Sequence, residues 1–141
     1  MQNKRFKPKY DKLFWFTWIP TVLMLTVATV FAAIEPAALF IMVPTDIFTL
    51  YFLFTSLAGY VELRDDTVFI KFGFILKKEI PYAKIRGASK ERKLYSDSMV
   101  ALKNSLEHVS IKYNIFDIAS VSVCENDDFL SELSARLEAR K

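Results

Sequence analysis

The sequence predicts an α+β protein with two N-terminal transmembrane helices, then an antiparallel β-sheet or barrel closed by a C-terminal amphipathic helix. Residues 13–34 contain no charge, and a second apolar tract covers residues 36–60 of the 141-residue chain. From Tyr60 onward, apolar and polar residues alternate, as half-buried strands require. We therefore expect a basic N-terminal segment over residues 1–12, a transmembrane hairpin over 13–59 and a folded domain over 60–141.

The first apolar tract has the length of a membrane crossing. Its 22 residues would span about 33 Å as a helix, against about 30 Å for the hydrocarbon layer. A cleaved secretion signal has a shorter apolar centre, and so small a soluble domain could not bury a helix that is apolar on every face. Trp15 and Trp18 follow the basic segment, where an interfacial aromatic belt is expected. Pro20 is tolerated in a spanning helix as a kink.

The second apolar tract is interrupted at Asp46, which follows a proline and a threonine. If Asp46 caps a helix, the apolar part that follows is only about 12 residues, or about 18 Å, which is too short to cross alone. A helix that begins near Pro36 would cross fully and place Asp46 near mid-depth, as a functional intramembrane acid. We expect the cap, with Glu35 to Thr45 along the outer interface.

The distribution of charge predicts the orientation. Five basic residues and one acidic residue precede the first tract, no Lys or Arg occurs between Leu13 and Val61, and the connector between the tracts carries only Glu35 and Asp46. The positive-inside rule then places both termini in the cytoplasm, with the protein as a two-pass component of the cell membrane. From Tyr60 the chain has 14 basic and 13 acidic residues, which disfavours nucleic-acid binding.

The alternating segments predict strands and their inward faces. Three short strands form a meander after Tyr60, with turns at Asp65–Asp66 and at Gly73. Later strands are expected around Lys84 to Ser89, near Met99 to Leu102, and in two alternating runs. The inward residues of the meander and of those two runs are Val61, Leu63, Val68, Ile70, Phe72, Val109, Ile111, Tyr113, Ala119, Val121 and Val123. His108, Ser110 and Lys112 are expected to face outward.

The C-terminal stretch predicts a helix with Asn126 or Asp127 as its cap and basic residues in its last turn. The residues that form its apolar stripe are Phe129, Leu130, Leu133 and Leu137. One stripe implies packing against one sheet.

Four stretches of the sequence together resemble the membrane-anchored bacterial PH-like (pleckstrin-homology-like) family. They are YVELRDDTVFIKFG, KKEIPYAKIRG, HVSIKY and VSVCENDDFLSEL. The resemblance implies a PH-like domain behind two apolar segments. Within that family, small proteins with this layout are similar to immunity proteins that protect the producers of sublancin-like peptide bacteriocins. The sequence departs from the family pattern where a Ser-Pro commonly precedes the last helix, because Cys124-Glu125 stands there.

Residue types suited to catalysis are sparse. The chain has one histidine, one cysteine and three glycines, so we expect no enzyme, no cofactor, no metal and no phosphate-binding loop. His108 and Cys124 are expected to be ordinary strand residues. The stretch most suited to binding is basic. It is either a solvated face of mixed charge or a surface held against an anionic inner leaflet. Its candidate lipid contacts are Lys77, Lys78, Lys84, Arg86, Lys90, Arg92 and Lys93.

The expected function is that of a non-catalytic immunity protein that binds a secreted antimicrobial peptide, or shields its membrane target, from within the lipid bilayer. The candidate peptide contacts lie on the connector and the second tract: Glu35, Asp46, Phe48, Tyr51 and Phe52. The alternative is a membrane-tethered PH-like scaffold or regulator that binds a protein partner or anionic lipid. An intramembrane enzyme or transporter that uses Asp46 is the third hypothesis.

Overall fold

The computed structural model describes residues 3–95 and 100–140. A short strand, β1 (Lys4–Phe6), precedes helices α1 (Lys12–Ala32) and α2 (Pro36–Leu57). The elements that follow are β2 (Tyr60–Leu63), β3 (Thr67–Phe72), β4 (Leu76–Pro81), β5 (Ile85–Arg92), β6 (Val100–Leu102), β7 (Glu107–Tyr113), β8 (Asp117–Val121) and α3 (Asn126–Glu138). The predicted α+β fold, with two apolar helices ahead of a sheet domain, is confirmed.

The two long helices form a hairpin. Within the described residues, α1 and α2 are the helices that are long and apolar enough to cross a membrane, judged by length and composition. Most of their large apolar side chains are exposed, as on a lipid-facing surface. Asp11 caps α1, which continues through Pro20, and Pro36 occupies the first turn of α2, where a missing N–H costs nothing.

The expected cap at Asp46 is wrong, because α2 is continuous from Pro36 and passes through Pro44. The expected outer segment Glu35–Thr45 is therefore mostly helical, and Glu35 is the N-cap residue directly before α2. The Asp46 carboxylate accepts a hydrogen bond of 2.6 Å from the hydroxyl of Thr29 on α1. A partner on the neighbouring helix thus takes the place of the backbone N–H groups that a capping aspartate would bind.

The strands form two sheets. The first has the order β1-β2-β3-β4, all antiparallel, and the second has the order β5-β7-β8-β6, in which β6 runs parallel to β8. A single turn of 3₁₀ helix over Tyr82–Lys84 connects the sheets. The predicted turns are present, and Gly73 has a positive φ of 69°, which suits glycine.

The core lies between the sheets and α3. The expected inward residues of β2, β7 and β8 are buried, and Phe72 of β3 is partly buried against them. Phe129 and Leu133 of α3 are fully buried in the same cluster, while Leu130 and Leu137 pack at its edge. The helix is also held by Arg136, which is 3% exposed and donates to the carbonyls of Leu63 and Arg64 at 3.3 and 3.0 Å.

Three local expectations need correction. The basic N-terminal segment contains β1, which pairs with β2. His108 and Ser110 are buried rather than outward; alternation predicts which residues share a face, but not whether that face is covered. Asn126 lies inside α3 and makes no capping bond there. Its side chain instead accepts from the N–H of Val123 at 3.0 Å. The strand expected near Met99 is β6, although Met99 itself lies outside the described residues.

Candidate functional site

Both helices of the hairpin join the sheet domain at one place, which we call the anchor junction. The residues that form it are Tyr10, Asp11, Ser56, Leu57, Asn104 and Leu106. The Oδ1 atom of Asp11 accepts the N–H of Phe14 at 3.1 Å and caps α1. Its Oδ2 atom accepts the N–H of Leu106, in the loop before β7, at 2.8 Å. One carboxylate therefore connects the start of α1 to the second sheet.

The environment of Asp11 favours its charged form. Partial desolvation acts to raise the pKa of the carboxyl, but the backbone N–H groups of Leu106, Phe14 and Leu13 act against it. The pKa of Asp11 is consequently lower than its ordinary value, because hydrogen bonds donated to a carboxylate stabilise the ionised state. The junction thus holds a carboxylate at neutral pH.

The end of α2 is bound at the same junction. The Tyr10 hydroxyl lies 3.2 Å from the carbonyl of Ser56 and 3.0 Å from that of Leu57, to which it can donate. The Asn104 amide donates to the Ser56 carbonyl at 3.2 Å. These carbonyls lack partners within the helix, so side chains of the domain take that role. Burial raises the pKa of Tyr10, which keeps its hydroxyl a donor at neutral pH.

The turn between β3 and β4 also rests on α2. A Cβ added at Gly73 would lie 2.8 Å from Cα of Thr55, and Thr55 is two residues from the end of the helix. Gly59, between α2 and β2, is equally close to its surroundings, since a Cβ there would lie 2.9 Å from the carbonyl oxygen of Lys71. Close backbone approach at these glycines fixes the first sheet against the hairpin.

The residues after Gly73 form an exposed apolar projection, which we call the β3–β4 tip. It comprises Phe74, Ile75 and Leu76, with exposures of 60%, 73% and 66%. Lys71 and Lys77 face each other across β3 and β4 just behind it. The sequence pattern predicts a turn at Gly73 followed by a strand, but no exposed tip. The run of apolar residues directly after Gly73 was the signal that could have identified it.

The predicted membrane-interface tryptophans lie on the first two turns of α1, beside the junction. Their rings cluster with that of buried Phe14, at centroid distances of 5.3 Å for Trp15 and 6.2 Å for Trp18. The Tyr10 ring lies against Phe14 in a tilted arrangement, with ring centroids 5.0 Å apart. These aromatic rings therefore lie where the domain meets the hairpin. Tyr and Trp rings at the end of a membrane-spanning helix occupy the bilayer interface.

The candidate peptide contacts do not form one cluster. Glu35 lies at the bend of the hairpin, 11 residues or about 16 Å along α2 from Asp46. Asp46 lies between the helices, and its Oδ1 atom is buried with no hydrogen-bond partner in the described part of the chain. Phe48 and Phe52 are exposed and touch each other with ring centroids 4.8 Å apart, and Tyr51 lies 6.0 Å from Phe52.

The candidate lipid contacts are also distributed. Lys90 forms an ion pair with Asp127 on α3 at 2.8 Å. Lys93 is paired with Glu91 at 3.0 Å. Lys77 lies behind the β3–β4 tip. The other members of the set are exposed: Lys78 on β4, Lys84 in the 3₁₀ turn, and Arg86 and Arg92 on β5. A stretch that is contiguous in sequence therefore becomes several separate surfaces.

A second exposed tip, at residues 114–116 between β7 and β8, was not predicted. Ile115 and Phe116 are 73% and 91% exposed. Arg86 donates to the Ile115 carbonyl at 3.1 Å, and the N–H of Asn114 donates to the Lys84 carbonyl at 3.0 Å. The β7–β8 tip thus combines two apolar side chains with basic neighbours.

The residues considered for chemistry lie in different environments. His108 is buried, with Nδ1 3.2 Å from the Leu106 carbonyl oxygen. Cys124 is exposed, with its sulfur 3.4 Å from the Pro8 carbonyl. Across residues 3–95 and 100–140, no three His, Cys, Asp or Glu side chains converge in a way that could hold a metal ion.

Comparison with known families identifies the sheet domain. The model of a family described as bacterial PH domain matches residues 59–137, which is more than half of the chain. The match begins directly after α2 and ends within α3, so it covers β2 to β8 but not β1 or the helical hairpin. No curated protein and no solved structure matches the chain.

Proposed function

The chain belongs to the bacterial PH domain family, and from this premise we propose that it is a membrane-anchored, non-catalytic scaffold. Its hairpin crosses the cell membrane, both termini lie in the cytoplasm, and the PH domain presents a binding surface to a protein partner. Labelling a cysteine introduced at Ile34, in a Cys124→Ser background, with a membrane-impermeant reagent on intact cells tests the topology. Reaction from outside is expected, whereas protection at that site together with external cleavage of the C-terminal domain would contradict it.

The observation that carries the proposal is the rigidity of the anchor junction. Only Ala58 and Gly59 separate α2 from β2, and Tyr10, Asp11 and Asn104 bind the ends of both helices to the domain. A flexible linker would let the domain tumble above the membrane. We expect these contacts to hold the domain in one orientation, with the same surface facing the cytoplasm.

The surface best suited to a partner is the β7–β8 tip. It follows β7, which runs from Glu107 near the junction to Tyr113, a distance of about 20 Å at about 3.3 Å per residue. Ile115 and Phe116 supply apolar contact, and Arg86 supplies positive charge beside them. A protein segment that carries apolar and acidic side chains would complement this tip.

A photocrosslinking amino acid in place of Phe116 tests this function in the native host. We expect the full chain to form a reproducible adduct with one membrane-associated or cytoplasmic protein. The matched control places the crosslinker at exposed Glu138, and Arg86→Glu in the Phe116 crosslinker variant should abolish the adduct. If Phe116 and Glu138 give the same adducts, or if Arg86→Glu leaves the Phe116 adduct unchanged, the scaffold proposal is wrong.

A second candidate function is immunity to a sublancin-like bacteriocin. It is favoured by the exposed ring cluster of Phe48, Tyr51 and Phe52 on α2, close in sequence to the polar contact between Asp46 and Thr29. A polar point within an apolar hairpin, beside exposed aromatic rings, is suited to contact with an amphipathic peptide inside the bilayer.

Expression in a sensitive strain tests immunity directly. The chain should raise the concentration of bacteriocin needed to inhibit growth, and Phe48→Ala with Phe52→Ala should remove that protection. The control is Leu23→Ala with Met24→Ala, two similarly exposed apolar residues on α1. Unchanged sensitivity with the native chain would eliminate this candidate and leave the scaffold proposal standing.

A further inference from the structure

We propose that the β3–β4 tip inserts into the interfacial layer of the same bilayer that the hairpin crosses, and that the lysines behind it bind anionic lipid headgroups. The domain would then have a third contact with the membrane beside its two helices. This inference rests on the proposed membrane anchoring, and it assigns a lipid ligand to residues outside the β7–β8 tip.

The position of the tip supports contact with lipid. The Gly73 backbone packs against Thr55, which is two residues, or about 3 Å along the axis, from the end of α2. The tip therefore lies beside the last turn of an apolar helix, at the level where that helix enters the domain. The aromatic group of Tyr10, Phe14 and Trp15 marks the same level on α1.

The chemistry of the tip supports the same ligand. Single exposed apolar residues are ordinary on soluble domains. Phe74, Ile75 and Leu76 differ from that pattern because they are consecutive and each is more than half exposed. Their side chains add to the apolar surface of α2 rather than forming a patch remote from it. Insertion of a few such residues to a depth of about 5–10 Å is how interfacial segments bind.

The charges behind the tip fit a lipid headgroup layer. Lys71 and Lys77 are cross-strand neighbours, and the Lys71 ammonium lies 5.7 Å from the Tyr60 ring. The nearest acidic residue along β4 is Glu79, which is paired with Arg64 at 2.9 Å. An apolar end followed by basic side chains matches the order of acyl chains and anionic headgroups in a leaflet.

Site-specific fluorescence in vesicles tests the inference. In a Cys124→Ser background, single cysteines replace Ile75, Phe116 or Met24 and carry an environment-sensitive fluorophore. The full chain is reconstituted at low density in vesicles of phosphatidylcholine and phosphatidylglycerol, with and without lipids that carry a quencher near the headgroup. Ile75 tests the tip, Phe116 is a matched exposed apolar control, and Met24 reports insertion of the hairpin.

We expect a blue shift and a loss of intensity with quencher lipid for the probe at Ile75, and neither effect at Phe116. Lys71→Gln with Lys77→Gln should weaken the quenching at Ile75 in these anionic vesicles and leave it unchanged in pure phosphatidylcholine. If Met24 reports a lipid environment while Ile75 behaves like Phe116, the inserted tip is wrong and the anchoring stands. If Met24 also remains in water, both proposals fail.

Discussion

Replacement of Asp11 by alanine should loosen the anchor junction. The change removes the cap of α1, which is worth about 1 kcal/mol. It also leaves the Leu106 N–H without the acceptor that now lies 2.8 Å away, at about 1–3 kcal/mol for a buried donor. We expect the free energy of unfolding to fall by about 2–4 kcal/mol, or roughly 8–30 °C in Tm for a domain of about 80 residues.

The measurement is thermal unfolding of the full chain in detergent micelles, followed by circular dichroism. Asp127→Ala is the matched control, because Asp127 also lies in the first turn of a helix but is 82% exposed and paired only with Lys90 at the surface. A surface pair of this kind contributes little to stability, because water screens both charges. Equal losses from the two variants would refute the assigned role of Asp11.

The pH dependence gives an independent check on the same carboxylate. Because the pKa of Asp11 is lowered in the folded state, its stabilisation is fully present above the unfolded pKa of about 4. It is lost as the pH falls through the lower folded pKa. The gap in Tm between the native chain and Asp11→Ala should therefore narrow below about pH 4. A gap that is the same at pH 3 and pH 7 would show that charge at Asp11 is irrelevant.

Three further substitutions test the packing in the same thermal assay. Gly73→Ala should cost at least about 1–2 kcal/mol, because φ there is 69° and the added Cβ would collide with α2. The control Gly87→Ala should be nearly neutral, because no atom lies within 4 Å of a Cβ added there. Arg136→Met should cost about 2–3 kcal/mol, because the carbonyls of Leu63 and Arg64 lose the donor that lies 3.3 and 3.0 Å away; an unchanged Tm would contradict the role of this buried arginine. Phe6→Ala should cost about 3–5 kcal/mol, since the ring is 4% exposed and contacts Phe129 at 5.1 Å. A loss below 1 kcal/mol at Phe6 would mean that β1 is not integral to the domain.

The predictable part of the fold is the part with local periodicity. Core residues recur at every second position, as Val61 and Leu63 do in β2, and Val109 and Ile111 in β7. The strand β1 has only three residues and finds its partner, β2, more than 50 residues later. Nothing local distinguishes it from a solvated basic tail, so only the tertiary pairing reveals it.

Asp46 shows a different reason for failure. Its position after a proline suits a helix cap, and the local chemistry favours that interpretation. The decisive interaction is the hydrogen bond from Thr29, which exists only once α1 and α2 are packed together. Sequence patterns identify both helices, but they do not specify which residues face each other across the hairpin.

The binding surfaces were predictable in composition and not in placement. Lys77 and Lys78 are adjacent in β4 and therefore point to opposite faces. Lys78 lies with its ammonium 5.8 Å from the Tyr113 ring, while Lys90 is neutralised by Asp127 on α3. Summing positive charge along the chain cannot reveal this separation, because it depends on strand alternation and on the docking of α3.

The connectivity explains why anchor and domain act as one unit. β1 and β2 are neighbouring strands, with Phe6 opposite Val61, so the whole helical hairpin occupies the place of a turn. Closing a flexible loop of that length would carry a large entropic cost. Under the proposed anchoring, a hairpin formed in the bilayer holds its two ends about 10 Å apart, which brings β1 and β2 close enough to pair.

The same connectivity implies that the segment matched by the family model is not the whole structural unit. A piece that began at Gly59 would lack β1, and β2 would become an edge strand with unpaired backbone groups. Phe129 would also lose the Phe6 ring from its surroundings. The pairing of β1 also positions the segment that follows it, which carries Tyr10 and Asp11. This segment lies beside the second sheet, where the N–H of Lys9 donates to the Ser122 carbonyl at 3.0 Å. The orientation of the domain relative to the helical hairpin is therefore a consequence of strand pairing as much as of the helices.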